Sequence, residues 1–256
     1  MSDIHLNRAL PEWLEGVFKT ADWPIPPYLQ IGFLSSLAKS IEVAAPNVKA
    51  GIMCQHMAQA YTPEYLAVML LERYSKILHV RDFKPQIGES IKAYFCGYKF
   101  AAVTALIPVV EGIIRKIAIA EGRNVGSGTN RLNIELQAII DRELSSPHGY
   151  GERVVLLESF RDFIKDRFLQ STSAFVGADE FNRHGILHGI FEKFGEEANF
   201  LRLITLLDLL CFSIGMTIGG VSMFAPPLTA DSSMLAQHYA QLQSVVSTLN
   251  VHLPAL

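Results

Sequence analysis

Apolar residues recur at three- and four-residue steps along most of the chain, which is the spacing of one face of an α-helix. Between residues 63 and 80 this spacing continues for about five turns, with Thr62 as the predicted N-cap and Pro63 at the first helical position. No alternating strand pattern extends beyond a few residues. The same spacing predicts further helices over residues 27–45, 87–95, 98–121, 131–144, 152–169, 196–222 and 232–249. The fold class predicted is therefore all-α, a helical bundle.

Two kinds of segment interrupt the helical pattern. Residues 23–27 (WPIPP) contain too much proline for a helix and predict an extended connector, and residues 122–130 (GRNVGSGTN) predict a loop. One periodic run ends and another begins near residues 82–85. This break predicts an N-terminal helical region of unknown role over residues 1–84 and a helical bundle over residues 85–256. A turn inside one compact unit is the alternative.

Composition narrows the class of protein. Of the 256 residues, 50% are apolar and 18% are charged, which excludes a disordered or low-complexity chain. The net charge of −3 means that only a local basic patch could attract nucleic acid. The three cysteines lie far apart within apolar runs and predict reduced, buried thiols of a cytoplasmic protein. Residues 203–224 carry a single charge, Asp208, and approach the length of a membrane span, but the flanks lack aromatic and basic anchors. We therefore expect a buried core helix and no membrane contact.

The densest polar cluster is the segment NRHGILHG at residues 182–189. Asp179 is a candidate cap for a helix that begins here, and the free N–H groups of a first helical turn favour an anion. The guanidinium of Arg183 offers several donors that suit phosphate oxygens, and a histidine can accept and return a proton near neutral pH. Arginine and histidine at a helix start are a minimal set for cleaving a phosphodiester bond.

This segment resembles the HEPN superfamily. Arg183, four intervening residues and His188 match its Arg-x4–6-His signature, and the polar His184 follows the arginine directly, as that family prefers. Upstream, YFCGY at residues 94–98 and LIPVVEGI at residues 106–113 are similar to the early helical hairpin of bacterial and phage members. Downstream, residues 199–208 are similar to their final core helix. The resemblance covers about residues 84–224 and does not extend to the N-terminal region.

The resemblance implies a bundle that forms a homodimer, so that two motif copies face one shared cleft. Many members are metal-independent endoribonucleases in toxin–antitoxin, phage-defence or RNA-processing systems, and they use no cofactor. By this resemblance, Arg183 would hold the scissile phosphate, and His188 would act as general base or acid with the ribose 2′-hydroxyl as nucleophile. His184 would be an accessory donor, and Glu111 would orient the site. Other members are inactive interaction or scaffold modules, which is the competing expectation, with an antitoxin or other defence protein as partner.

Helix geometry gives a separate reason to expect a dimer. In a straight helix at about 100° per residue, Arg183 and His188 point roughly 140° apart. Either Gly185 loosens the helix, or an arginine and a histidine from two subunits meet across a two-fold axis.

Other interpretations of the same residues stay open. His184, His188 and Glu192 are spaced four apart and would share one helix face as metal ligands. Alternatively, Arg183 and His188 only cap helices and bond backbone carbonyls, and Glu111 pairs with Arg115 on the helix surface. Basic and polar residues around the 122–130 loop and the motif form a candidate nucleic-acid patch, with solvated surface charge as its alternative: Arg115, Lys116, Arg123, Arg131 and Asn182.

Overall fold

The structure is a computed structural model that describes residues 8–120, 122, 130–145, 150–177, 179–218 and 224–252. Within these ranges every regular element is helical and no strand occurs, so the predicted all-α class is confirmed. The α-helices in chain order are α1 (Ala9–Lys19), α2 (Ile31–Glu42), α3 (Pro46–Ala60), α4 (Pro63–Val68), α5 (Lys84–Phe95), α6 (Lys99–Ala120), α7 (Asn130–Ser145), α8 (Gly151–Phe163), α9 (Arg183–Leu187), α10 (Glu197–Ile218) and α11 (Ala230–His252).

Helix α10 lies at the centre of the fold. It packs against α3, α6, α7 and α8, and residues 199–215 are all buried. Its Glu197–Met216 stretch is long and apolar enough to cross a membrane, with a mean hydropathy of 1.6, yet 89% of that stretch is buried inside the protein. The expectation of a buried core helix is confirmed. The predicted end of this helix, residues 219–222, lies outside the described residues.

One hydrophobic core extends across the predicted boundary at residue 84. Helix α11 packs on both α4 and α5, and α10 packs on α3, so elements from both sides contribute to the same cluster of buried side chains. The indole of Trp23 in the N-terminal region donates a hydrogen bond to Thr205 Oγ1 on α10 at 3.1 Å. Residues 1–84 and 85–256 therefore share their interior in the part of the chain that the structure describes.

Several helix boundaries differ from the sequence pattern. The spacing did not predict α3, because only Met53 and Met57 along its length are buried, and Pro46 begins this helix instead of only ending the previous one. Helix α1 was also not predicted. The helix predicted over residues 63–80 ends at Tyr74, because α4 widens into a π-helical turn, Met69–Tyr74. A second π-helical turn, Ile164–Phe168, follows α8 directly.

The first π-helical turn places a cation in the interior. Arg73 is buried, its guanidinium lies 4.7 Å from the centre of the Tyr28 ring, and it donates a hydrogen bond to the Phe224 carbonyl at 2.5 Å. Arg73 thereby connects Tyr28, which directly follows the WPIPP segment, to Phe224, which lies shortly before α11.

A carboxylate on α10 is buried among tyrosine hydroxyls. Tyr74 donates a hydrogen bond to Asp208 Oδ1 at 2.6 Å, and Tyr65 donates to Oδ2 at 2.9 Å. One turn earlier on α10, Thr205 Oγ1 lies 2.9 Å from the Tyr61 hydroxyl. Burial raises the pKa of Asp208 to about 7, although the tyrosine hydrogen bonds and the positive charge of Arg73 act in the opposite direction. This cluster connects α10 to α4 and to the first π-helical turn.

We predict that the Asp208 carboxyl makes the protein lose stability as the pH rises from about 4 to 7. In the unfolded chain this carboxyl ionises near its ordinary value of 3.8, whereas in the folded protein it keeps its proton until about pH 7. Unfolding therefore releases a proton within this window, and the stabilising contribution, at most about 4 kcal/mol, is lost with rising pH.

Urea unfolding of the wild type and of Asp208→Asn at several pH values tests this assignment. The neutral amide removes the titration, so the difference in unfolding free energy between the two proteins should shift in favour of the variant as the pH rises. A difference that stays constant across the window contradicts it.

Candidate functional site

Helix α9 begins at the first residue of the predicted motif, and Asn182 is its N-cap. The side-chain oxygen of Asn182 accepts a hydrogen bond from the Gly185 N–H at 3.0 Å. Its amide nitrogen donates to the carbonyls of Gln170 at 2.7 Å and Arg167 at 3.2 Å. The expectation that Asp179 caps this helix is wrong. Asn182, a candidate nucleic-acid contact, is fully buried and positions α9 instead.

The two motif histidines lie side by side at the surface. Helix α9 ends at Leu187 and His188 is its C-cap, after which Gly189 adopts a positive φ of 66° and the chain turns back, with Ile190 N–H donating to the Gly185 carbonyl at 2.8 Å. Both imidazoles are exposed, and their ring centres are 4.3 Å apart. The His188 N–H still donates a hydrogen bond to the His184 carbonyl at 3.1 Å, so the helical spacing extends to His188, and the dimer expected from it stays a prediction.

The structure brings Arg183 together with Glu111, two predicted site residues from distant parts of the chain. Arg183 Nε on α9 lies 2.5 Å from Glu111 Oε1 on α6, as an ion pair without the alignment of a hydrogen bond. Each side chain is 28% exposed, so the pair lies at the surface and not in the core. The terminal nitrogens of Arg183 form no hydrogen bond with any described residue. Glu111 therefore pairs with Nε of the guanidinium, and the two terminal nitrogens keep their capacity to donate hydrogen bonds to an anion.

Asp179 holds the segment before α9 between two arginines. Arg202 on α10 is fully buried, and its Nη1 donates to Asp179 Oδ2 at 2.5 Å, while Nη2 of Arg167, in the second π-helical turn, donates to Asp179 Oδ1 at 2.8 Å. Asn199 on α10 donates a hydrogen bond to the Asp179 carbonyl at 2.7 Å. Burial raises the pKa of Asp179, but attraction to Arg202 and Arg167 outweighs that effect and lowers it below its usual value.

Sequence reasoning did not identify Arg167 as part of this arrangement. Its signal was weak, because Arg167 is one of several charges in the run KDR at residues 165–167. Arg202 had a stronger signal, as the single basic residue of the mostly apolar α10, since a buried charge requires a partner.

The structure describes only some members of the candidate nucleic-acid patch. Arg115 is exposed and forms no ion pair with a described residue, including Glu111, the partner that the alternative interpretation gave it. Lys116 pairs at the surface with Asp82 at 2.6 Å. Arg123 lies outside the described residues, and nothing is described of the Arg131 side chain on α7.

The geometric basis of the metal-site alternative is wrong. It required His184, His188 and Glu192 on one face of a helix, but α9 ends at Leu187. Among the described residues, no group of three or more histidine, cysteine, aspartate or glutamate side chains is arranged to hold a metal ion.

Comparison with known proteins gives no assignment for this site. No family model, no curated protein and no solved structure matches the chain. The likeness to the HEPN superfamily therefore stays a prediction from the sequence segments named above.

We predict that Asp179→Ala destabilises the protein by about 3–5 kcal/mol, because it leaves the buried guanidinium of Arg202 without its carboxylate. Urea unfolding at neutral pH measures the loss. The matched control is Asp166→Ala, which removes an exposed carboxylate from the second π-helical turn and should change stability by less than about 0.5 kcal/mol. Equal losses in the two variants would contradict the role of Asp179.

Proposed function

We propose that this protein is a metal-independent endoribonuclease whose site consists of Arg183, His188, His184 and Glu111. The observation that carries the proposal is that Arg183, whose ion partner among the described residues is Glu111, begins the same short helix that brings two exposed imidazoles to 4.3 Å from each other. An arginine that only stabilises the fold commits its donors to protein acceptors, as Arg202 does. The match to the HEPN motif supports the same residues.

Arg183 binds the scissile phosphate through its terminal nitrogens. The negative charge on the phosphoryl oxygens increases in the transition state, so a fixed cation stabilises that state more than the ground state. Glu111 keeps the guanidinium in place but does not itself donate a hydrogen bond to the phosphate. This is a positioning role, which agrees with the orienting function expected from the sequence.

His188 acts as the general base or acid. The imidazole removes the proton from the ribose 2′-hydroxyl, the 2′-oxygen attacks the adjacent phosphorus, and the bond to the 5′-oxygen breaks as that oxygen gains a proton. The products are a 2′,3′-cyclic phosphate and a 5′-hydroxyl end. His184, whose ring centre lies 4.3 Å from that of His188, is placed to supply the second proton or a hydrogen bond to the phosphate.

We further propose that the active form is a homodimer. Leu187 and Ile190 are exposed apolar residues directly beside His188. Burying them against a second copy removes apolar surface from water and brings the two motif copies into one cleft. We also propose that a partner protein, an antitoxin or another defence protein, binds to this same face.

For the nuclease we expect single-stranded RNA to be cleaved in the presence of EDTA, with His188→Ala and Arg183→Ala each about 100- to 10,000-fold slower. DNA of the same sequence should stay intact because it lacks the 2′-hydroxyl. Gel electrophoresis of labelled oligonucleotides gives the rates and identifies the cyclic phosphate end. His238→Ala, which removes an exposed histidine on α11, is the control for loss of an imidazole elsewhere.

Cleavage that is equal in the wild type and in His188→Ala would identify a contaminating nuclease. No cleavage by any of the proteins would favour the interaction-module alternative. Loss of activity with EDTA would contradict the metal-independent mechanism.

Mixing two inactive variants tests whether the two subunits complete one site. In a heterodimer of Arg183→Ala and His188→Ala, one of the two cross-subunit sites retains both an arginine and a histidine. If each site combines residues from both subunits, co-refolded variants should regain a substantial part of wild-type activity. If each chain carries its own complete site, the mixture should stay inactive, and the shared-site arrangement is wrong.

A further inference from the structure

One face of α6 carries mostly exposed side chains from Phe100 to Arg115. At about 100° per residue, six residues of α6 fall within an arc of roughly 80°, and the last of them, Ala118, is buried. Four of these side chains are exposed and Glu111 is half-buried. We call this face the α6 stripe, and its residues are Phe100, Thr104, Pro108, Glu111 and Arg115.

The motif segment runs along the α6 stripe in the opposite direction to the helix. At one end Arg183 contacts Glu111, and at the other end Phe194 packs against Phe100 with ring centres 5.0 Å apart. Glu111 is the eleventh residue after Phe100, which corresponds to about 16 Å along the helix axis. The surface therefore has an arginine and the histidines at one end and an aromatic ring at the other.

The ring of Phe100 is held in one orientation although it is 53% exposed. A Cβ atom on Gly195 would lie 2.6 Å from both Cε2 and Cζ of this ring and 2.7 Å from Cδ2. Three nearly equal distances place the Gly195 backbone over one face of the ring, an approach that only glycine permits. Phe194 contacts the ring in an edge-to-face arrangement. With 53% of its surface exposed, the side chain of Phe100 stays accessible to solvent beside these two contacts.

We propose that the exposed ring of Phe100 is a stacking platform for one base of a single-stranded RNA whose phosphate is bound at Arg183. The inference rests on the proposed function and adds a second contact for its single-stranded substrate. Protein aromatic rings stack on unpaired bases with little dependence on sequence, whereas the bases of a duplex already stack on one another. The 16 Å separation places this base a few nucleotides from the cleaved bond. The exposed Lys193, next to Phe194, is positioned to contact the intervening backbone.

The test measures RNA binding separately from cleavage. In the non-cleaving His188→Ala background, fluorescence anisotropy gives the dissociation constant of a short, fluorescein-labelled, single-stranded oligoribonucleotide. Adding Phe100→Ala should weaken binding by about 5- to 150-fold, the range seen when a stacking aromatic is removed. Binding of a fully paired RNA duplex should change by less than about twofold.

Two substitutions distinguish stacking from simple apolar contact. Phe100→Trp should keep or strengthen single-strand binding, whereas Phe100→Leu, which keeps apolar volume but has no aromatic face, should weaken it nearly as much as alanine does. The matched control is Tyr98→Ala, which removes an even more exposed aromatic residue (68%) just before α6 begins and should leave the dissociation constant unchanged.

The outcomes separate this inference from the proposed function. If the wild type cleaves RNA through Arg183 and His188 but Phe100→Ala binds as the parent does, the nuclease stands and the platform is wrong. If no protein cleaves RNA but Phe100→Ala selectively weakens single-strand binding, the platform stands and the nuclease is wrong. Absence of RNA binding overturns the platform. So does a change of oligomeric state in Phe100→Ala by sedimentation, because Phe100 would then be a contact between two copies.

Discussion

The ion pairs between Asp179 and the two arginines are the constraint on which the candidate site depends. Arg202 belongs to the central core helix and Arg167 to the π-helical turn after α8, so a single carboxylate joins two elements that are far apart in sequence. The chain leaves this point through Phe181 and Asn182, both fully buried, and emerges as α9. The short helix has few intrahelical hydrogen bonds of its own, so its position is determined by this anchor and by the Asn182 cap.

The anchor also explains how a surface site can be rigid. The catalytic groups that we propose lie on a helix of five residues and the turn that follows it, which would be mobile in isolation. Phe191 packs over Gly185, where a side chain would leave no space for the ring, and thus connects the returning chain to α9. The residues that hold α9 in place are buried, whereas the two imidazoles are exposed. A binding site for a polyanion requires both a fixed position and accessible side chains.

The sequence was sufficient for the class of fold and for its longest elements, because these depend on periodic burial. The extents of α6 and α10 agree closely with the apolar spacing, and Asp208 did not mislead the interpretation of α10 as a core helix. The pattern failed for α3, which buries too little of its surface to show a clear period. It also failed at Asp179, since an aspartate near a helix start is usually a cap, and its burial against Arg202 depends on tertiary contacts.

The widened turn Ile164–Phe168 shows what kind of change the candidate site tolerates least. A π-helical turn holds one more residue than the α-helical turn from which it derives, and Arg167, which donates to Asp179, lies within this turn. Deleting a single residue between the end of α8 and Arg167 would restore ordinary helical register and rotate the guanidinium by about 100°. Asp179 would then lose one of its two arginine partners although no residue of the proposed site had changed. The length of the chain at this turn is thus as much a determinant of the candidate site as the identity of Arg183 or His188.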